Sequence, residues 1–233
     1  MMASKRSNTV YYVLGSLAVL FGLFMYWAAS DIPLPKNAKK VGDMVHIDIS
    51  EGATNEVERK EALFVVPERF KPGVSEGGFA FYFKFPDGTP YTGNESPVPF
   101  DSVRVVIRHY KKTTALHVES ILRKIQAKDG LLKNVPYFVE KKDELEIYQY
   151  DYGSNKKTIG TYFKFVTADG STMLVDDAGD WSHVYEINGK LSPHVELLSM
   201  PSKKLIRDSK HFIEDITAVD NAVHKLVQSF QSK

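Results

Sequence analysis

The chain has 233 residues, no cysteine, 30 basic and 29 acidic side chains, and 43% hydrophobic residues. A near-neutral balance excludes nucleic-acid binding by bulk charge, and the lack of cysteine excludes a thiol nucleophile, a disulfide framework, a lipoprotein acylation site and a cysteine-based zinc site. Without disulfides the fold rests on its core alone, which suits a bacterial periplasm better than a eukaryotic cell surface.

The first predicted element is Val10–Ala29, twenty residues without a charge, preceded by Lys5 and Arg6 and flanked by Tyr11 and Tyr12 at one end and Tyr26 and Trp27 at the other. A helix of that length spans roughly 30 Å, the thickness of a bilayer's hydrocarbon core, and the aromatic pairs match headgroup belts. This predicts a cytoplasmic tail over 1–9, a transmembrane signal anchor over 10–29, a tether over 30–43 and a periplasmic domain over 44–233. Two other readings compete. A cleavable signal peptide would use Ala28-Ala29-Ser30 before the cut, although its apolar core is normally only about 7–15 residues. A buried helix of a globular protein is the third. The tether carries Pro33, Pro35, Lys36, Lys39 and Lys40, which read as an extended basic segment beside anionic lipid.

Beyond the tether, Met44–Ser50 alternates with Val45, Ile47 and Ile49 on one face, and Ala62–Val66 is a short apolar strand stopped by Pro67. Glu51–Glu61 reads as a polar connection. In Phe79–Phe85 four phenylalanines share one face, with Gly77-Gly78 before and Pro86-Asp87-Gly88 after; burying those rings outweighs exposing them. Ser102–Tyr110 places Val103, Val105 and Ile107 inward. Then the period changes to that of a helix over Thr114–Ala127, where Val118, Ile121, Leu122 and Ile125 form one stripe.

The second half repeats the pattern. Strands are predicted at 137–140, 144–150, 158–167, 171–175 and 183–187, with turns at Gly153-Ser154-Asn155, Asp169-Gly170, Ala178-Gly179 and Asn188-Gly189. A closing helix runs from Asp208, as N-cap, to about Gln231, with Phe212, Ile216, Val219, Val223, Leu226 and Phe230 as its buried stripe. The segments Tyr82-Phe83-Lys84-Phe85 and Tyr162-Phe163-Lys164-Phe165 each lead to an Asp-Gly turn and later to an amphipathic helix. This suggests two related modules, 44–130 and 131–233, each with one helix over one sheet. The fold class predicted is α+β: an N-terminal transmembrane helix, then antiparallel sheet with two covering helices.

The search for chemistry is mostly negative. The seven histidines show no metal-binding helical spacing, and no nucleophile elbow, phosphate loop or dinucleotide fingerprint is present. No catalytic residue, cofactor or metal ligand is therefore assigned. Two polar clusters remain as partner-binding candidates. One is Asp176, Asp177 and Asp180 beside Trp181, where an aromatic supplies binding area and carboxylates supply steering; a solvated turn with Trp181 in the core is the plainer account, and calcium a third. The other is Tyr148, Tyr150 and Tyr152 on one strand face, whose plainer account is a sheet face under a helix.

A short tail, one signal anchor and a cysteine-free domain of aromatic-rich strands resemble the periplasmic immunity proteins against type VI secretion effectors, in particular the phospholipase-immunity group. Phe64-Val65-Val66-Pro67-Glu68 followed by the Phe79–Phe85 strand is the stretch most similar to them. The resemblance implies a non-enzymatic inhibitor, single-pass in the bacterial inner membrane, that binds a toxin or lipase effector stoichiometrically and occludes its site. The alternative is a single-pass structural subunit of an envelope or secretion assembly.

Overall fold

The computed structural model describes residues 34–91, 100–109, 117–127, 136–152, 158–179 and 182–231. Within them lie thirteen strands and three α-helices. A small antiparallel sheet forms first, from β1 (Ala38–Val41), β2 (Met44–Asp48) and β3 (Leu63–Pro67) in that order. β1 and β2 are joined through Gly42, whose φ of 62° is left-handed backbone that glycine takes at no steric cost. The connection between β2 and β3 holds helix α1 (Glu56–Glu61), started by Asn55, whose side chain accepts from Glu58 N.

The large sheet contains β4 (Gly73–Ser75), β5 (Gly78–Lys84), β6 (Thr89–Pro90), β7 (Ser102–His109), β8 (Tyr137–Lys142), β9 (Leu145–Tyr152), β10 (Thr158–Val166), β11 (Thr172–Asp177), β12 (Glu186–Ser192) and β13 (Val195–Pro201). Its order is β4-β5-β7-β13-β12-β11-β10-β9-β8, with β6 beside β5. From β8 to β13 it is a meander of consecutive hairpins. β7 then joins the two halves of the chain, pairing with β13 from Val195 opposite His109 to Pro201 opposite Val103.

Two helices cover opposite faces of this sheet. Successive residues of a strand point to opposite sides, and β11 shows the division: Met173 and Val175 join the core beneath helix α3 (Phe212–Phe230), whereas Leu174 joins a second cluster with Ile121 of helix α2 (His117–Ala127). α3 buries Phe212, Ile216, Val219, Val223, Val227 and Phe230. These side chains share the main core with the small sheet and with Phe79, Phe81, Val105, Ile107 and Leu197 of the large one. Phe230 stands edge-on to Phe70 and Phe81 at 5.2 and 5.5 Å between centroids. Each such ring contributes about 1.5–3 kcal/mol through burial.

Several expectations are corrected. The described chain is mostly antiparallel strand rather than the α+β fold expected, because strand pairing extends through stretches read as tether or turn. Residues 38–41 of the expected tether form β1; Lys39 and Lys40 interrupt its apolar pattern because it is an edge strand, where charge deters foreign pairing. Asn188-Gly189 is not a turn but the middle of β12, and the reversal falls at Pro193 and His194. Asn188 is buried there, its Nδ2 donating to the Glu186 carbonyl at 3.3 Å. Strand β13 went unpredicted. Asp208 does not cap α3 directly, but its Oδ1 accepts from the Lys210 and His211 amides in the turn just before it. The two helices share one sheet instead of each covering its own.

The transmembrane expectation is also corrected. Among the described residues no helix is long and apolar enough to cross a membrane. The longest, α3, has 19 residues but carries Glu214, Asp215, Asp220 and Lys225 along its length. Residues 10–29, on which the span fell, lie outside the described residues. The N-terminal transmembrane helix, and with it the signal-anchored, single-pass inner-membrane placement, finds no support among the described residues.

Candidate protein-interaction face

Strand register on the α2 face of the large sheet lines up one side chain from each of five adjacent strands. Phe138 of β8 lies opposite Tyr148 of β9, Tyr148 opposite Tyr162 of β10, Tyr162 opposite Asp176 of β11, and Asp176 opposite Glu186 of β12. An aromatic row thus runs from the sheet's rim inward and ends on two carboxylates. Phe138 and Tyr148 meet edge-on at 5.6 Å. Tyr150 adds a diagonal contact, stacking on Tyr162 with centroids 4.6 Å apart and donating its hydroxyl to Asp176 Oδ1 at 2.7 Å. Gly160, opposite Tyr150, makes room for that ring.

Electrostatics follow from burial. Asp176 is pushed up to about 6 by desolvation, the Tyr150 hydrogen bond opposing and Glu186 and Asp177 reinforcing the shift. Desolvation also raises Tyr162, with the Asp176 and Glu186 charges adding to it. At the outer end Tyr148 donates to Glu146 Oε2 at 2.8 Å and Lys164 donates to the same oxygen at 2.7 Å. These bonds hold Glu146 below its ordinary value, the lysine first, while burial and Glu146 push Tyr148 up to about 12. The acids at the two ends therefore differ: Glu146 is a firm anion, and Asp176 exchanges a proton in the mildly acidic range.

The structure brings together members of both candidate clusters, Tyr148 and Tyr150 with Asp176. It separates Asp177, which turns to the other face; its Oδ1 accepts from Lys203 Nζ at 2.5 Å and from the Gly179 amide at 2.8 Å. Asp180 and Trp181 lie outside the described residues, as does the side chain of Tyr152. Tyr150 is buried and Tyr148 partly so, both beneath α2 with Ile121, Leu122 and Ile125. Among the described residues no group of three His, Asp or Glu is placed to hold a metal ion.

The residues that sequence reasoning missed lie at the rim. Tyr137, Phe138 and Val139 are exposed by 49%, 56% and 43%, three consecutive large apolar side chains on the last strand of the sheet. Their signal was the apolar triplet opening the 137–140 strand. Only the strand order reveals that it is an edge.

Comparison with known proteins finds no matching protein family and no matching curated protein. Among solved structures, the crystal structure of the Neisseria meningitidis iron-regulated outer membrane lipoprotein FrpD is similar over 84% of this chain and 92% of that chain, with 11% sequence identity and a TM-score of 0.36. A likeness of that extent carries no function across. The resemblance to immunity proteins finds no support from any family.

Proposed function

We propose that this chain is a non-catalytic protein-binding domain whose docking face is the β8 rim together with the aromatic row beside it. The observation that carries the reading is the exposed triplet Tyr137, Phe138 and Val139. Exposed aromatics at the centre of a contact supply much of its binding energy, and here Phe138 rests on Tyr148, so the surface is preorganised. Glu140, Lys141 and Lys142 supply a polar border. In its sharpest form the domain engages a secreted toxin or lipase one to one and occludes its site.

The test is capture from cell extract with the tagged chain, followed by mass spectrometry, against a Tyr137→Ser, Phe138→Ser variant. One soluble enzyme recovered at near-equal amount by the native chain and lost by the variant supports the inhibitor form. Several envelope proteins in fixed ratio, lost likewise, support a structural subunit instead. Capture that is unchanged by the variant removes the rim as the binding face.

A further inference from the structure

The large sheet ends differently at its two edges. At one, β4 has three residues, and Asn37 Nδ2 donates to the nearby Ser75 and Glu76 carbonyls at 2.8 and 3.4 Å. At the other, β8 has six residues, and among the described residues β9 is its one strand neighbour. Its outer backbone groups thus form a row to which another strand can be added. Tyr137 and Phe138 project to opposite sides of that row, so the rim is apolar above and below it.

The charge distribution along β8 selects the occupant. The strand is apolar over Tyr137, Phe138 and Val139 and charged over Glu140, Lys141 and Lys142, with Lys142 Nζ 2.9 Å from Glu140 Oε1. Two copies pairing antiparallel through β8 would set the lysines of each against the apolar triplet of the other. Pairing parallel would set lysine against lysine, which is unfavourable. A second copy of this chain is therefore a poor fit. A segment running antiparallel, as every strand pair in this sheet does, would match if it began with acidic residues facing Lys141 and Lys142 and continued with apolar residues facing the triplet.

Resting on the protein-binding reading above, we propose that β8 binds its partner by strand addition, taking an extended segment with an acidic start and an apolar, β-branched continuation. Backbone bonds along β8 supply much of the affinity and the two lysines set direction and register. The bulge between Phe138 and Glu140 leaves Val139 without a partner on β9. Edge strands and bulges are where a sheet tolerates proline, and its ring interrupts the regular backbone on which an added strand would pair.

Two capped synthetic peptides provide the probe, Glu-Glu-Thr-Val-Ile-Val and its counterpart with two lysines in place of the glutamates. The acidic peptide is expected to bind about tenfold tighter, a difference of about 1.4 kcal/mol, and to slow amide hydrogen exchange over 137–142. Lys141→Glu with Lys142→Glu reverses the preference without altering the backbone, and Val139→Pro weakens both peptides. Equal binding of the two peptides, protection elsewhere than 137–142, or no binding of either overturns strand addition. A captured partner that needs Tyr137 and Phe138 yet tolerates Val139→Pro and the charge reversal overturns it too, while leaving the protein-binding reading in place. A rim substitution without effect on capture is the separate failure of that underlying reading.

Discussion

Gly160 and Tyr150 face each other across β9 and β10 with no room for another carbon: a Cβ on Gly160 would lie 2.1 Å from Tyr150 Cζ and 2.4 Å from its hydroxyl oxygen. The glycine lets the ring lie across the strand, stack on Tyr162 and reach Asp176. Gly160→Ala is expected to displace the ring and break that hydrogen bond, costing about 1–3 kcal/mol as overpacking does. Thermal melting should fall by roughly 5 °C in a domain of this size. In a Tyr150→Ala background the same change should be near neutral. Additive losses in the double variant would show that the two positions do not act through each other.

Asp176 makes the fold respond to pH. Its folded value of about 6 lies above the ordinary 3.8, so the folded state holds the proton more tightly than the unfolded one. The associated stabilisation is complete below pH 3.8 and is lost as pH rises to about 6. Above that range the charged carboxylate is a net cost, on the order of 1–2 kcal/mol after allowing for solvent at the site. Asp176→Asn, which still accepts from Tyr150, should raise the melting temperature at pH 7.5 and leave it nearly unchanged at pH 4. An equal change at both values would mean that the effect is not one of ionisation.

How far the fold could be read depended on which faces each element buries. In β5 only Phe79, Phe81 and Phe83 enter the main core, so the alternation is plain; in α3 the stripe is plain for the same reason. β13 is buried on both sides, with Leu197 in the main core and Leu198 buried on the other face, so it lacks the alternation that marks a half-buried strand. Asn188-Gly189 has the composition of a hairpin turn, but burial of Asn188 and the place of Gly189 beneath His224 and Asp220 hold it inside β12. The interaction face was half legible. Tyr148, Tyr150 and Asp176 stood out as residue types, yet 26 positions separate the Tyr150 hydroxyl from its acceptor, and only strand register unites them.

His224 should titrate far from its ordinary range. Its Nδ1 lies 3.2 Å from Asp220 Oδ2 and its Nε2 lies 3.3 Å from the Lys190 carbonyl, so the imidazolium has acceptors at both nitrogens. Hydrogen bonding to Asp220 is the main cause that lifts it to about 9, against the opposing effect of burial. A raised value means stabilisation fully present below pH 6.5 and lost as pH rises through about 9. NMR titration of the His224 ring protons should show a midpoint near 9, falling well toward 6.5 in Asp220→Asn. A midpoint unmoved by that substitution would assign the shift to the Lys190 carbonyl instead.

The opposite sign of pH response belongs to a buried pair where the small sheet meets the large one. Glu58 of α1 and His109 at the end of β7 approach to 3.5 Å between Oε1 and Nε2, with both side chains almost fully buried and neither of these atoms hydrogen-bonded. Glu58 keeps its charge through Oε2, which accepts from the Thr54 amide and hydroxyl at 2.8 Å each, and these bonds lower its value. Desolvation lowers His109, with His194 adding to it and Glu58 and Asp48 opposing. Below pH 6.5 the unfolded chain therefore takes up a proton at this histidine before the folded one does, and stability falls with pH. Protonation of Glu58 extends the loss to lower pH, since its stabilisation exists only above the ordinary 4.5 and disappears as pH falls through the folded value. His109→Gln should leave the folded structure in place and flatten the part of the decline that begins near pH 6.5. Melting curves of both chains between pH 7.5 and 5 decide it, because a decline of the same slope in the variant would place the acid sensitivity elsewhere.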